Sequence, residues 1–415
     1  MPGRAVVGLA LVALATLAGG LVVAGQTDAT PLLGSITMGP DPSAVAVDEQ
    51  TNRVFVTDHV DGYLRVLDAG SGALLHTVAV DRDGPMAVDE QGGHVFLAGA
   101  LNGPDKYGVY SDHAVVRMLD ARTGGILRTI TTNVTGDAAA LVVDTPARRV
   151  FVVFPGAALV LDARSGAVLR TVAASRSPQL VALDARSGHV FVTNGGDDSV
   201  SMFDARQGTA PRTVALGGTP TCVAVDERSG HVFLPTGHGI AVLDARSGAL
   251  WRTVSAGHPF DAVTVDEQTG RAFVSSAVDN SVSVLDTRGG AVVRIVRAGR
   301  QPHVAAVDAR SGRVFIGSQG PFSSSNPTGA GSMSVLDARD GTILRTISLG
   351  DVTGVAVDAR TGRAFVVNRD DRTAPASDHW SWVPPWLRGR LPLIPRPAPR
   401  TVSLRETVSV LDATQ

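Results

Sequence analysis

The sequence predicts an all-β protein that folds as a single β-propeller of eight four-stranded blades. One unit, with a spacing of about 40 residues, recurs eight times along the 415-residue chain. Each unit except the last, which holds three, contains four short, valine-rich apolar runs, which are typical of strands. The chain also has 46 glycines and only 5% aromatic residues. This composition favours many short elements joined by tight turns.

Two aspartates mark every unit, and each of them follows an apolar run. The first mark is Asp48, Asp89, Asp144, Asp184, Asp226, Asp266, Asp308 and Asp358. The second mark is Asp68, Asp120, Asp162, Asp204, Asp244, Asp286, Asp337 and Asp412. Eight pairs of marks predict eight blades.

The fifth unit shows the strand pattern, with apolar runs at 223–225, 232–234, 241–243 and 250–254, here called A to D. Runs A, B and C are apolar on both faces, whereas run D alternates apolar and polar residues. Propellers bury both faces of their inner strands and leave the outermost strand half exposed. We therefore expect run A at the central axis and run D at the rim.

Run B carries one phenylalanine in every unit, so that eight of the twelve phenylalanines share one repeated position. They are Phe55, Phe96, Phe151, Phe191, Phe233, Phe273, Phe315 and Phe365. We interpret them as packing between blades, rather than as an aromatic ring around a ligand.

The aspartates begin two recurrent hairpin turns, D-x-x-[ST]-G at 226–230 and D-A-R-S-G at 244–248 in the fifth unit. An aspartate accepts hydrogen bonds from backbone amides across such a turn, and the glycine supplies the positive φ. Repetition in every unit favours turn architecture over catalytic carboxylates.

The chain ends predict how the ring closes. The last unit stops after run C, at Leu411 and Asp412, and an unassigned D-like segment, residues 32–37, precedes the first unit. If that segment pairs into the last blade as its outer strand, no long sheet edge stays open.

The fourth unit contains Val190, Phe191, Val192, Thr193 and Asn194. This run resembles the Tyr-Val-Thr-Asn signature of the YVTN/YncE-type β-propeller repeats, and the resemblance extends over residues 32–415. It implies an exported, surface or periplasmic repeat protein, and it does not imply a catalytic set. Members of that family often have seven blades, so seven is the alternative to eight.

The N-terminus predicts export. Arg4 precedes an apolar run over residues 5–24, and polar sequence begins at Gln26. Residues 1–25 fit a secretory signal peptide, with a membrane anchor as the alternative. We expect a secreted, periplasmic or cell-surface protein that touches the membrane only through this segment. A net charge of −2 gives no basis for nucleic-acid binding, and the single Cys222 excludes a disulfide framework.

The strand order sorts the loops between the two ends of the propeller. The A–B and C–D turns lie at one end, which we call the turn end. The B–C and D–A connections differ from unit to unit and lie at the other end, the variable end, where binding usually resides on a rigid scaffold. Eight D–A positions are expected to ring the channel mouth: Ser43, Gly84, Ala139, Gln179, Thr221, Asp261, His303 and Thr353.

Three residues of adjacent units at this mouth, His258, Asp261 and His303, form the candidate site. One hypothesis is that these three residues, with or without His238, bind a divalent cation or act as base and acid on a ligand. The alternative is a solvated polar mouth without a site, and no motif predicts a cofactor. Gln179 and Thr221 complete the predicted ligand-binding set at the mouth.

An insertion at about 369–406 interrupts the last unit and holds Trp380, Trp382 and Trp386, followed by four prolines. Such a segment is not a regular strand. It is expected either to cover the propeller's own mouth or to contact a partner or membrane surface.

The favoured function is therefore a non-enzymatic, exported binding scaffold for an extracellular protein, glycan or small molecule. The alternative is a lactonase-like hydrolase or lyase that uses His and Asp groups at the channel mouth. A subunit of a periplasmic redox enzyme is a third hypothesis, although no C-x-x-C-H haem motif occurs. The G-x-S-x-G, H-E-x-x-H and P-loop motifs are also absent from the sequence.

Overall fold

The structure of the protein is a computed structural model. It describes residues 32–39, 42–58, 61–80, 84–100, 113–204, 211–255, 259–320, 331–370 and 405–412. These residues form 32 strands in eight four-stranded antiparallel sheets, which confirms the predicted eight blades.

The strands follow the repeat in chain order. An N-terminal strand, β1 (Leu32–Thr37), precedes blade 1, which consists of β2 (Pro42–Asp48), β3 (Arg53–Asp58), β4 (Tyr63–Asp68) and β5 (Leu74–Ala79). Blade 2 consists of β6 (Met86–Asp89), β7 (His94–Ala100), β8 (His113–Asp120) and β9 (Ile126–Thr135). Blade 3 consists of β10 (Ala140–Asp144), β11 (Arg149–Phe154), β12 (Ala157–Asp162) and β13 (Val168–Ala173). Blade 4 consists of β14 (Pro178–Asp184), β15 (His189–Asn194), β16 (Ser199–Asp204) and β17 (Arg212–Ala215), with a short 3-10 helix at Gly195–Asp197.

The second half of the ring continues the same pattern. Blade 5 consists of β18 (Ala224–Asp226), β19 (His231–Thr236), β20 (Gly239–Asp244) and β21 (Leu250–Ser255). Blade 6 consists of β22 (Ala262–Asp266), β23 (Arg271–Ser276), β24 (Ser281–Asp286) and β25 (Val292–Arg297). Blade 7 consists of β26 (Pro302–Asp308), β27 (Arg313–Ser318), β28 (Ser332–Asp337) and β29 (Ile343–Ser348). Blade 8 consists of β30 (Asp351–Asp358), β31 (Arg363–Asp370), β32 (Arg405–Asp412) and the N-terminal β1.

The first strand of every blade lies next to the first strands of both neighbouring blades. Thus β2 contacts β6 and β30, and the other inner strands contact one another in blade order around the ring. The ring is therefore closed, and run A lines the axis as the sequence predicted.

Burial follows the same radial order. The second strand, such as β15, is buried at five of its six positions, whereas the outer strand β13 is exposed at five of six. All eight repeated phenylalanines are 0–3% exposed and belong to the packed cores. The prediction that they pack between blades is confirmed: Phe273 of blade 6 packs against Val314 and Leu336 of blade 7.

The last blade closes as predicted. Strand β1 pairs antiparallel with β32, and Ser35 faces Ser409 in the register. The predicted 369–406 insertion is slightly shorter in the structure, because residues 369–370 and 405–406 extend the paired strands β31 and β32. Residues 1–25 and the insertion residues 371–404 lie outside the described part of the chain. None of the helices among the described residues is long and apolar enough to cross a bilayer.

Candidate functional site

The turn end is built from aspartates that accept hydrogen bonds. In blade 4, Asp184 Oδ1 accepts the amides of Arg186 and Ser187 at 3.0 and 3.4 Å, and Oδ2 accepts the Ser187 hydroxyl at 2.6 Å. Gly188 follows with φ +77° and donates its amide to the Asp184 carbonyl at 2.8 Å. Asp184 is 5% exposed. The interpretation of these aspartates as turn architecture is confirmed.

The outer C–D turns use the same chemistry in a more exposed setting. Asp162 Oδ1 accepts both the amide and the hydroxyl of Ser165 at 2.8 Å. These two hydrogen bonds lower the pKa of Asp162, because they favour its charged form.

Glutamates connect neighbouring blades just inside the turn end. Glu227 and Glu267 lie in adjacent blades, and Glu267 Oε1 accepts the Glu227 amide at 2.9 Å. On the opposite side of the ring, Glu49 accepts the Ala359 amide at 2.8 Å and donates its own amide to Glu90 at 3.4 Å. Burial, with the nearby charges of Glu49 and two aspartates, raises the pKa of Glu90 to about 7. These contacts hold blades together.

At the variable end, the predicted mouth residues lie in the inner strands or just before them. Several side chains are engaged by the propeller itself. Thr221 Oγ1 donates to the Phe260 carbonyl at 2.8 Å, the Ser43 and Thr57 hydroxyls are 3.0 Å apart, and Thr353 Oγ1 donates to the Val367 carbonyl at 3.4 Å. Gln179 is exposed and lies over Gly195. Part of the polar mouth is therefore hydrogen-bonded within the propeller itself.

Asp261 and His303 come together at this mouth, where they interact electrostatically. Asp261 Oδ2 accepts the Ala277 amide at 2.5 Å, and His303 Nδ1 hydrogen-bonds the Gln301 carbonyl at 3.0 Å. Burial raises the pKa of Asp261 and lowers that of His303, which is 6% exposed. Both changes favour the neutral forms. The main chain therefore fixes the pair in place.

The other predicted site residues are placed separately or lie outside the described residues. His238 is exposed in the turn between β19 and β20 and packs beside Gly218, between blades 4 and 5. His258, Trp380, Trp382 and Trp386 fall outside the described part of the chain. Within that part, no group of three His, Cys, Asp or Glu side chains is arranged to hold a metal ion. The divalent-cation site stays a prediction.

One surface was not anticipated from the sequence. The outer strands begin with consecutive apolar side chains that are about half exposed, such as Leu250 and Trp251 at 46% each. Ile295, the fourth residue of β25, is exposed to 61%. The alternation in run D suggested one exposed face, but both faces of these first positions reach solvent. The sequence signal for this surface was the pair of consecutive apolar residues that begins run D, such as Leu250 and Trp251.

The fold and these two ends define an eight-bladed β-propeller with one repetitive end and one varied end. Among solved structures, the chain is similar to the crystal structure of BamB from Moraxella catarrhalis, with a TM-score of 0.54 and 17% sequence identity. The match covers 81% of this chain and 96% of the BamB chain. No family model and no curated protein matches the sequence. The similarity shows the propeller fold.

Proposed function

We propose that the protein is an exported, non-enzymatic interaction scaffold whose variable end contacts a partner. The contrast between the two ends carries this proposal. The turn end repeats one hydrogen-bonded turn, whereas the connections at the variable end differ in length and chemistry. The longest of them join β7 to β8, β27 to β28 and β31 to β32. Varied loops on a rigid scaffold are the usual location of recognition.

The exposed groups at the variable end suit contact with another macromolecule. Val278, in the connection between β23 and β24, is 66% exposed, and the exposed His238 lies in the corresponding connection of blade 5. Mixed apolar and polar side chains are typical of protein interfaces. The resemblance to YVTN/YncE-type repeats, which brings no catalytic set with it, supports a binding role rather than a reaction.

Export is the second part of the proposal. The apolar run over residues 5–24 supports it. Fractionation of the native cells, followed by N-terminal sequencing of the protein, tests this part. We expect an extracytoplasmic protein whose mature chain begins at about residue 25, after Ala24. An intact N-terminus in the cytoplasmic fraction would overturn export without affecting the binding proposal.

Site-specific photo-cross-linking in the native cells tests the binding surface. A photoreactive residue replaces Val278 at the variable end or, as the matched control, Arg164 in the outer turn of blade 3. Both positions are exposed. We expect a discrete cross-linked protein from position 278 and none from position 164. Adducts from position 164 alone would contradict the proposal.

The half-buried Asp261 beside the buried His303 favours one second candidate, a hydrolase or lyase at the channel mouth. A carboxylate beside an imidazole suits acid–base chemistry. A panel of lactones assayed with the wild type and His303→Gln distinguishes the candidates. Turnover that is lost in His303→Gln would support the enzyme, and equal background rates would support the scaffold.

A further inference from the structure

A polar cleft lies at the turn end between blades 5 and 6, and nothing described above uses it. It is formed by the inner turn of blade 5 and by the inner and outer turns of blade 6. It has a volume of about 170 Å³, room for roughly five water molecules. We call it the blade 5–6 cleft. Its lining residues are Asp226, Arg228, Ser229, 267–270 and 286–288.

Three buried polar atoms of residues that line this cleft have no hydrogen-bond partner among the described residues. They are Asp226 Oδ2, Ser229 Oγ and Thr287 Oγ1. Asp226 and Thr287 are each 1% exposed. A buried polar atom without a partner costs free energy, so native proteins rarely leave such atoms unsatisfied. Three of them around one cleft indicate a ligand that supplies the missing hydrogen bonds.

The open turn of blade 5 differs from its equivalents with the same Asp-x-Arg-Ser-Gly sequence. In blades 4 and 7 the serine hydroxyl donates to the aspartate at 2.6 Å and closes the turn. In blade 5, Asp226 Oδ1 still accepts the amides of Arg228 and Ser229, at 2.9 and 3.1 Å. Oδ2 stays open. The turn of blade 8 is open as well, but there Arg360 lies 3.8 Å from Asp358 Oδ2.

Two departures from the repeat meet at this cleft. Thr287 stands where every other blade has alanine, namely Ala69, Ala121, Ala163, Ala205, Ala245, Ala338 and Ala413. Trp251 stands where the other complete blades have Leu75, Leu127, Leu169, Pro211, Val293 and Leu344. Since β21 of blade 5 faces the outer turn of blade 6, both departures border the same groove.

The tryptophan is held beside the cleft. Its ring stacks on His231 with centroids 4.2 Å apart and an interplanar angle of 15°. His231 Nδ1 in turn hydrogen-bonds the Thr287 carbonyl at 2.8 Å. The ring also packs 3.3 Å from the Cβ position of Gly290, which ends the turn that lines the cleft. Trp251 is nevertheless 46% exposed and presents a flat apolar surface.

The charges select the chemistry of the ligand. Asp286 is paired with Arg271 at 2.7 Å, so the open acceptor is Asp226. The negative charge on its unpartnered Oδ2 disfavours an anion. Arg228, which spans the cleft to the Glu267 and Gln268 carbonyls at 3.3 Å, disfavours a cation. A neutral ligand with neighbouring hydroxyls can donate to Asp226 and exchange hydrogen bonds with Ser229 and Thr287.

We propose that the blade 5–6 cleft binds a carbohydrate, with sugar hydroxyls on Asp226, Ser229 and Thr287 and an apolar sugar face on Trp251. The cleft is smaller than a typical drug-sized pocket, which suits one sugar ring. This site lies at the end opposite the proposed partner surface. Its success or failure is therefore independent of that surface.

Saturation-transfer NMR with the full-length protein tests the site. The probes are the methyl glycosides of glucose, galactose and mannose, titrated separately. Thr287→Ala and Trp251→Leu restore the residues of the other blades, so both variants are expected to fold. The matched control is Leu169→Ala in blade 3, where Leu169 is 47% exposed.

We expect saturable binding of at least one glycoside, with a dissociation constant of about 1 mM. Each consensus variant should weaken it about threefold to tenfold, the effect of one hydrogen bond or one stacked ring. Leu169→Ala should bind like the wild type. Absence of saturable binding for all three glycosides would overturn the proposal and leave a water-filled cleft. Binding by Thr287→Ala and Trp251→Leu that is as tight as that of the wild type would overturn it as well.

Discussion

The two ends of this propeller are made by the same strands, yet different rules govern them. At the turn end each blade repeats a buried aspartate that caps its own turn, as Asp184 does in blade 4. At the variable end the mouth residues differ in chemistry from blade to blade, as Gln179, Asp261 and His303 show. The comparison teaches that repetition marks architecture, so a departure from it carries functional information.

The largest expected difference in stability between the two ends comes from removing one aspartate from each end of blade 4. Asp184→Ala should lower the free energy of unfolding by about 2–3 kcal/mol, because it removes three hydrogen bonds and leaves two turn amides and a hydroxyl without their acceptor. Asp197→Ala, at the variable end, removes one exposed hydrogen bond to Ser175. It should change stability by less than about 0.5 kcal/mol. Urea unfolding curves measure both, and equal effects would refute the distinction.

A pair of glycines sharpens the comparison at the level of the backbone. A Cβ at Gly230 or at Gly237 would meet nothing within 4 Å, but Gly230 has φ +73° and Gly237 does not have a left-handed φ. Gly230→Ala, at the turn end, should cost about 1 kcal/mol. Gly237→Ala, at the variable end, should be neutral or slightly stabilising. Thermal unfolding of the two variants compares them, and a larger loss from Gly237→Ala would contradict the account.

The pKa of Glu90 predicts how the turn end responds to pH. Burial raises this pKa to about 7 from 4.5, so the folded state favours the neutral carboxyl. The contribution of Glu90 is fully present below pH 4.5 and is lost as the pH rises through 7. Glu90→Gln should therefore match the wild type near pH 4 and be more stable by about 1 kcal/mol at pH 8. Urea midpoints across this range measure the difference, and parallel profiles would contradict it.

His303 predicts the opposite sign at the variable end. Burial is the largest influence on its pKa and lowers it from the usual 6.5, against the opposing charges of Asp261 and Asp351. The stability that His303 contributes is present above pH 6.5 and is lost as the pH falls through its folded pKa. An NMR titration of the imidazole should give a midpoint below 6.5. A midpoint above it would show a charged, accessible histidine.

Much of the fold was predictable because repeated, local sequence patterns determine it. The strand alternation, the Asp-Gly turns and the closing segment Leu32–Thr37 each depend on neighbours in sequence, and each was confirmed. The strands were expected to be shorter than they are. In blade 5 the run 232–234 became His231–Thr236, because backbone pairing continues beyond the apolar residues.

The site was less predictable, because its contacts join distant blades. The order of the units placed Asp261 and His303 side by side, but not the Ala277 amide and Gln301 carbonyl that hold them. Recognition of the blade 5–6 cleft required the radial position of Trp251 and the unpaired hydroxyl of Thr287, which only the structure gives. Its sequence signals were two departures from the repeat, Thr287 in place of alanine and Trp251 in place of a smaller apolar residue.

The separation of the two ends is tested most directly by photo-cross-linking in the native cells, extended to one exposed position per blade at each end. The account predicts that a discrete partner is captured from variable-end positions such as Val278 and His238, and not from outer turns such as Arg164 and Arg122. Capture of the same partner mainly from the outer turns would contradict it.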